Sequence, residues 1–182
     1  DSPTGHYFLP EEIETLLKTT KKTNTFVLID EAYYPFYRHS SKEFIKKYQN
    51  LIITRTTAKA WGLAGLRVGY VLSSRNIIKE MHKVRPMYEI NNVGAELFKI
   101  ILNRKRLVES SVKRLLRGKL YFKKELLKLG FDVFEKEEGN FIHVNFKKFR
   151  HRIIKELSKS VYFRHKESHE SLKGFSRFAL TS

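Results

Sequence analysis

The spacing of apolar positions changes several times along this chain, and each change predicts a different element. Ile13, Leu16 and Leu17 recur at helical spacing after Pro10, and Glu11 and Glu12 occupy the first turn, where the helix dipole favours acids. Phe26–Asp30 follows as a short continuous apolar run ending in a carboxylate, the pattern of a strand buried on both faces. The alternation then repeats: a helix around Lys42–Tyr48, a strand at Leu51–Arg55, a strand at Arg67–Leu72 and a helix at Asn76–Val84. Strands alternating with helices predict an α/β layer built on parallel pairing and right-handed crossovers. From Ala95 to Leu129 the pattern is almost wholly helical, with Val108, Val112, Leu115, Leu116 and Leu120 on one face. After Gly130 the pattern shortens. Phe131–Phe134, Phe141–Val144, Val161–Arg164 and Phe175–Leu180 predict strands around a helix near Arg150–Leu157, a small α+β unit. The helical stretch near Asn103–Leu107 is the natural boundary, giving expected domains 1–104 and 105–182.

Composition narrows the class. Hydrophobic content of 41% over 182 residues is enough to build a core. No apolar run is long enough for a membrane helix, and the first residues do not resemble a signal peptide. Cysteine is absent, which excludes disulfides, thiolate nucleophiles and thiolate-bound zinc and makes the cytoplasm the default compartment. The net charge of +17 invites a nucleic-acid reading, a basic module with no catalysis. The basic residues are spread along the helices, however, with no interleaved aromatic stacking motif, so a solvated lysine-rich surface is the favoured explanation. The seven histidines are scattered; His165 and His169 stand four apart but have no carboxylates at ligand spacing, so no metal site is expected.

Two places carry candidate chemistry. Lys59 lies in Thr56-Thr57-Ala58-Lys59-Ala60-Trp61-Gly62, eight positions before Arg67 and followed by Gly62, Gly65 and Gly69. Apolar walls and a second cation favour an uncharged, nucleophilic lysine amine, and glycines let the backbone approach a bulky ligand. Arg67 offers the forked donor suited to phosphate, and Thr56 a hydroxyl. A glycine-rich turn bearing two surface cations explains the same pattern equally well. Asp30 ends an apolar strand, at the edge where ligands of open α/β sheets gather, and Tyr33 follows three residues later. A carboxylate there suits a protonated ring nitrogen; the competing reading is a loop or cap carboxylate.

Taken together, Ser2-Pro3-Thr4-Gly5, Asp30-Glu31-Ala32-Tyr33, the stretch Thr56–Tyr70 and Arg85-Pro86-Met87-Tyr88 resemble, in order and approximate spacing, the fold-type-I aminotransferases that use pyridoxal 5'-phosphate. The resemblance is greatest to the histidinol-phosphate aminotransferase branch and runs on through Gly139-Asn140-Phe141 and Phe175–Phe178. It implies an α/β fold: part of a cofactor-binding large domain, then a small C-terminal domain. It implies that Lys59 carries the cofactor and moves protons at the substrate α carbon, that Asp30 binds the pyridine nitrogen and Tyr33 the ring hydroxyl, and that Thr56 and Arg67 hold the phosphate. Arg177 matches the arginine that grips the substrate carboxylate, and Arg164 a second arginine for phosphorylated substrates. The implied partners are a small-molecule amino acid and a 2-oxo acid, with neither nucleic acid nor membrane, and the intact parent is expected to be a homodimer. A decarboxylase of threonine or serine phosphate is the alternative on the same scaffold. Three departures stand out. Ser2 replaces a usual asparagine, Thr57 a larger apolar residue, and Phe178–Ser182 only loosely follows the usual close. The family also has roughly half a large domain before Pro-Thr-Gly, so this chain is expected to be a fragment whose sheet exposes an apolar edge.

Overall fold

The computed structural model describes residues 3–135, 137–165 and 169–181. The described chain forms two compact units, Phe8–Glu109 and the stretch from Ser110 onward joined by residues 3–7. The expected division at 104/105 thus differs from the observed one by five residues. Residues 3–7 also leave the unit that the sequence order gives them to, with Glu138 N–H donating to Gly5 O at 2.8 Å.

The unit Phe8–Glu109 opens with α1 (Pro10–Lys22), whose start is fixed by Pro10 and by Glu12, which accepts the Leu9 N–H at 2.7 Å. Its apolar face drives Leu17 to full burial against β1 (Val27–Asp30) and β2 (Leu51–Thr56). Val27, Leu51, Ile53 and Tyr48 complete that core, with Ile13, Ile29, Phe44 and Leu72 packed against it. β1 and β2 are parallel, with Asp30 beside Thr54. β3 (Gly69–Ser73) runs antiparallel to β2, correcting the all-parallel expectation: the β2–β3 link is a loop rather than a crossover helix, and the chain simply turns back. β3 also starts two residues later than expected. Arg67 takes a left-handed backbone, φ 56° and ψ 35°, at the end of a 3₁₀ turn and cannot join a strand. The segment expected as a helix around Lys42–Tyr48 is a 3₁₀ turn, Ser41–Lys46.

The strands are not buried on both faces. Outward-facing Leu28 is 62% exposed and neighbouring Phe26 65%, while their inward neighbours form the core. α2 (Arg75–Lys83) starts at Ser74, whose hydroxyl accepts the Ile77 N–H. The long helix expected from Ala95 to Leu129 is two helices, α3 (Asn92–Leu102) and α4 (Lys105–Lys128). Asn103 separates them, its side chain donating to Lys99 O at 3.3 Å.

In the second unit β4 (Asp132–Val133), β5 (Phe141–Asn145) and β6 (Ser176–Ala179) form an antiparallel sheet in that order. Its core is Leu126, Val133, Ile142, Val144, Phe146 and Phe178, with the Phe163 and Phe178 rings stacked at 4.7 Å. α5 (Arg150–Leu157) covers the region expected of it. The strand expected at Val161–Arg164 reduces to a single bridge, Arg164 to Arg177. Val161 is spent closing the end of α5, its N–H donating to Leu157 O at 2.8 Å, so only Arg164 reaches β6. Along α4, Val108, Val112 and Leu115 are buried as expected, but Leu120 is 68% exposed and Lys119 takes the inward position. Helical geometry explains the correction: the inward stripe steps from 115 to 119. Among the described residues no helix is long and apolar enough to cross a membrane, and no cluster of three or more His, Asp or Glu is placed to hold a metal.

Candidate active site

Parallel pairing brings the C-terminal ends of β1 and β2 to one edge of the first sheet, and five of the seven expected site residues belong to these ends and the loops leaving them. Asp30 is the last residue of β1; its Oδ1 accepts the Ala32 N–H at 2.8 Å, which turns the chain sharply out of the strand. That turn delivers Tyr33 toward the loop after β2, where the Lys59 Nζ lies 5.4 Å from the Tyr33 ring centroid. Thr56, the last residue of β2, accepts the Ala58 N–H on its hydroxyl at 3.0 Å, a second sharp exit.

The loop between β2 and β3 is pinched shut at its base by Thr57. The Thr57 N–H and hydroxyl both donate to Val68 O, at 3.0 and 2.9 Å, and Thr57 O accepts the Leu63 N–H at 3.0 Å. A larger apolar residue keeps the two backbone bonds and loses the hydroxyl bond to Val68 O, which gives the unusual Thr57 a structural role. Lys59 stands at the tip, where its carbonyl accepts the Gly62 N–H at 3.1 Å across a turn that needs the positive φ of Gly62. Trp61 braces the loop against α3 through the Phe98 ring, 5.6 Å away and edge-on. The apolar walls expected around Lys59 are not built by its neighbours in sequence: Lys59 and Arg67 are both exposed, as is Asp30.

Behind this edge lies a group of residues that the sequence reading missed. Arg55 Nε and NH2 donate to Glu31 Oε2 at 3.0 and 2.8 Å, both side chains being 9% exposed. Glu31 Oε1 accepts the Ser41 N–H at 2.6 Å, Ser40 Oγ bridges the pair, and Arg55 lies 3.8 Å over the Tyr34 ring. Burial works against the Arg55 charge, but hydrogen bonds with Tyr70 and Glu31 outweigh it and raise the guanidinium above its usual pKa. A signal was available: Glu31 directly follows the first strand and Arg55 is the last residue of the second as read from sequence, so in parallel register opposite charges face each other one step beyond Asp30. This network fixes the β1 and β2 exits from below and keeps Asp30 and Thr56 at the upper edge.

Arg164 and Arg177 belong to the second unit. Their backbones exchange hydrogen bonds, Arg164 N–H to Arg177 O at 3.0 Å and Arg177 N–H to Arg164 O at 2.6 Å. Directly opposed residues of antiparallel strands point to the same face, so the two guanidinium groups share one face of this sheet. Arg177 is half-buried and Arg164 exposed. Ser2 lies outside the described residues, while Thr4 is buried and accepts the His6 N–H.

The edge thus gathers a carboxylate, a phenol, an amine and a hydroxyl, with a guanidinium on the loop that carries the amine. Such a set suits an aromatic aldehyde with a basic ring nitrogen, a ring hydroxyl and a phosphate: each donor has a complementary group to meet. The sequence matches the family model for aminotransferase class I and II over residues 1–181. It is 38% identical over 144 residues to a histidinol-phosphate aminotransferase from Thermotoga maritima, covering 79% of this chain and 42% of that protein. Among solved structures, the histidinol-phosphate aminotransferase from Clostridium acetobutylicum superposes with a TM-score of 0.85 at 25% identity, over 100% of this chain and 57% of that one. L-threonine-O-3-phosphate decarboxylase from Porphyromonas gingivalis shares the fold, with a TM-score of 0.81 at 22% identity over 100% and 57%. The chain spans about half the length of the curated relatives it matches.

Proposed function

The chain belongs to the class I and II aminotransferases, and from that premise we propose that the intact protein is a pyridoxal-phosphate-dependent aminotransferase of the histidinol-phosphate aminotransferase kind. It moves an amino group between an amino acid or amino phosphate and a 2-oxo acid. One observation carries this reading: the Asp30 and Thr56 strand ends lie side by side, with Lys59 against the Tyr33 ring on the loops that leave them. Bound pyridoxal phosphate supplies an electron-withdrawing ring that accepts the electron pair released at the substrate α carbon.

The residues of this chain do the rest. Asp30 holds the ring nitrogen in its protonated form, and Tyr33 donates to the ring oxygen. Thr56 and Arg67 hold the phosphate. Lys59 would anchor the cofactor, and its amine would move a proton at the substrate α carbon. Arg177 takes the substrate carboxylate as a two-pronged donor, and Arg164, on the same strand face, suits a second anion such as a phosphate. In this reading the unit Phe8–Glu109 belongs to the cofactor domain and the unit from Ser110 onward, with residues 3–7 packed on it, to the small domain. The intact protein works in the cytoplasm as a homodimer on small-molecule substrates.

Borohydride reduction of the intact protein mixed with pyridoxal phosphate, followed by peptide mass spectrometry, tests the assignment. The label is expected on Lys59 and absent from Lys59→Ala. Label scattered over surface lysines in the intact protein removes the reading. The shared decarboxylase fold supplies a second outcome for the activity assay: carbon dioxide release from a phosphorylated amino acid without any amino acceptor replaces transamination by decarboxylation.

A further inference from the structure

The second unit buries a group of charged side chains that the proposed chemistry does not use. His143 is fully buried and the Glu137 side chain is 2% exposed. One Glu137 carboxylate holds His143 twice, with Oε2 2.5 Å from Nδ1 and Oε1 accepting the backbone N–H at 3.0 Å. Both contacts at once fix the ring and its strand against each other. Across the β5–β6 ladder the partner of His143 is Arg177, so their side chains share a face. The Phe141 ring joins them: it meets the His143 ring edge-on at 5.4 Å and lies 5.3 Å from the Arg177 guanidinium carbon.

The loop that carries Glu137 is held in two further ways. Lys119, itself buried, donates to Glu137 O at 3.1 Å and to Gly139 O at 3.2 Å. Glu138 N–H donates to Gly5 O, and Gly5 sits so close that a Cβ there would stand 2.8 Å from the Glu137 Cβ. The turn at residues 3–5, the loop at 137–139 and the strand of Arg177 are therefore one connected assembly. Burying an acid and an imidazole costs more than burying two apolar side chains of equal volume, so core stability alone does not account for this pair.

We propose that Glu137 and His143 are positioning residues that set the Arg177 guanidinium through Phe141 and register the turn at residues 3–5 beside it. The proposal rests on the reading of Arg177 as the substrate-carboxylate group. Neither residue touches substrate; each acts through the strand face it shares with Arg177.

The test uses the intact protein with Glu137→Gln, which keeps an oxygen for the His143 N–H, Glu137→Ala and His143→Leu, each alone and with Arg177→Lys. Glu137→Ala and His143→Leu are expected to raise KM for the 2-oxo acid on the order of tenfold, with kcat and cofactor labelling at Lys59 little changed. Glu137→Gln restores most of the loss, and neither effect adds to that of Arg177→Lys. A KM that stays constant, or effects that multiply with Arg177→Lys, overturns the proposal. The Arg177 Nε–H signal in nuclear magnetic resonance gives a reading independent of activity. It is expected to shift in Glu137→Ala and His143→Leu and to stay close to its original position in Glu137→Gln, and a signal that does not move in the first two overturns the proposal whether or not the protein transaminates. Failure of cofactor labelling in the unmodified protein, with the signal shifting as expected, would instead count against the aminotransferase reading alone.

Discussion

Lys119 carries an ammonium group into a place that its helix reserves for apolar side chains. Burial holds its pKa below the usual lysine value, opposed by the nearby charges of Glu137 and Glu138 and reinforced by Lys123. Between that lowered value and 10.5 the unfolded chain binds more protons than the folded one, so this group makes stability rise as pH increases through the window. Glu138 acts at the other end. Burial raises its pKa above 4.5, so its contribution falls as pH climbs from 4.5 to the folded value. Urea unfolding at neutral pH and just below 10.5 is expected to show the alkaline gain in the natural protein, and Lys119→Met is expected to flatten it. The Glu31–Arg55 pair gives a second prediction at this scale. Glu31→Ala leaves a buried guanidinium without its counter-charge and is expected to cost about 3 kcal/mol in a denaturant titration. Among single residues, Lys59, Asp30 and Arg67 stand out in the sequence because the small residues or the strand around them are local features. Glu137 and His143 do not stand out, because nothing in a run such as Glu137–His143 shows that an acid and a histidine six positions apart face inward together.

Elements that are set by local chemistry follow the sequence closely. Pro10 and the acids of its first turn start α1, and Ser74 starts α2. Elements that depend on a distant partner do not follow it. Whether β3 runs with or against β2 depends on how the Lys59 loop closes, and that closure rests on Thr57 reaching Val68 eleven residues away. Val161–Arg164 has strand-forming residues but only one of them meets β6. The turn at residues 3–5 is the sharpest case, since its place is set by a loop more than 130 positions on. Gly5 has φ +76° and no room for a Cβ. Gly5→Ala is therefore expected to cost about 1–2 kcal/mol from backbone strain alone, with further loss from the clash with Glu137. Thermal unfolding checks the cost. Hydrogen exchange at the Glu138 amide, whose acceptor is Gly5 O, is expected to speed up in the same variant.

The molecule as a whole exposes apolar surface where its fold expects cover. β1 is an edge strand with Leu28 outward and Phe26 exposed just before it, and Met87 and Tyr88 before α3 and Val93 in its first turn are exposed as well. An unpaired apolar edge is a template for association, while a net charge of +17 keeps copies apart at low salt and is screened as salt rises. This chain is expected to self-associate as ionic strength increases, and Leu28→Lys is expected to suppress the effect with little change in unfolding midpoint. Light scattering across a salt series reads both, and scattering that is insensitive to Leu28→Lys places the sticky surface elsewhere. The sequence by itself determined the family and most of the alternation of elements. Those follow from short-range spacing and from residue types that few other arrangements require. Only the tertiary structure decided which strand edges lie side by side, that Lys119 rather than Leu120 turns inward, and that residues 3–5 join the far end of the chain. Each of these depends on pairing or burial between positions far apart in sequence, and their free energy exists only once both partners are in place.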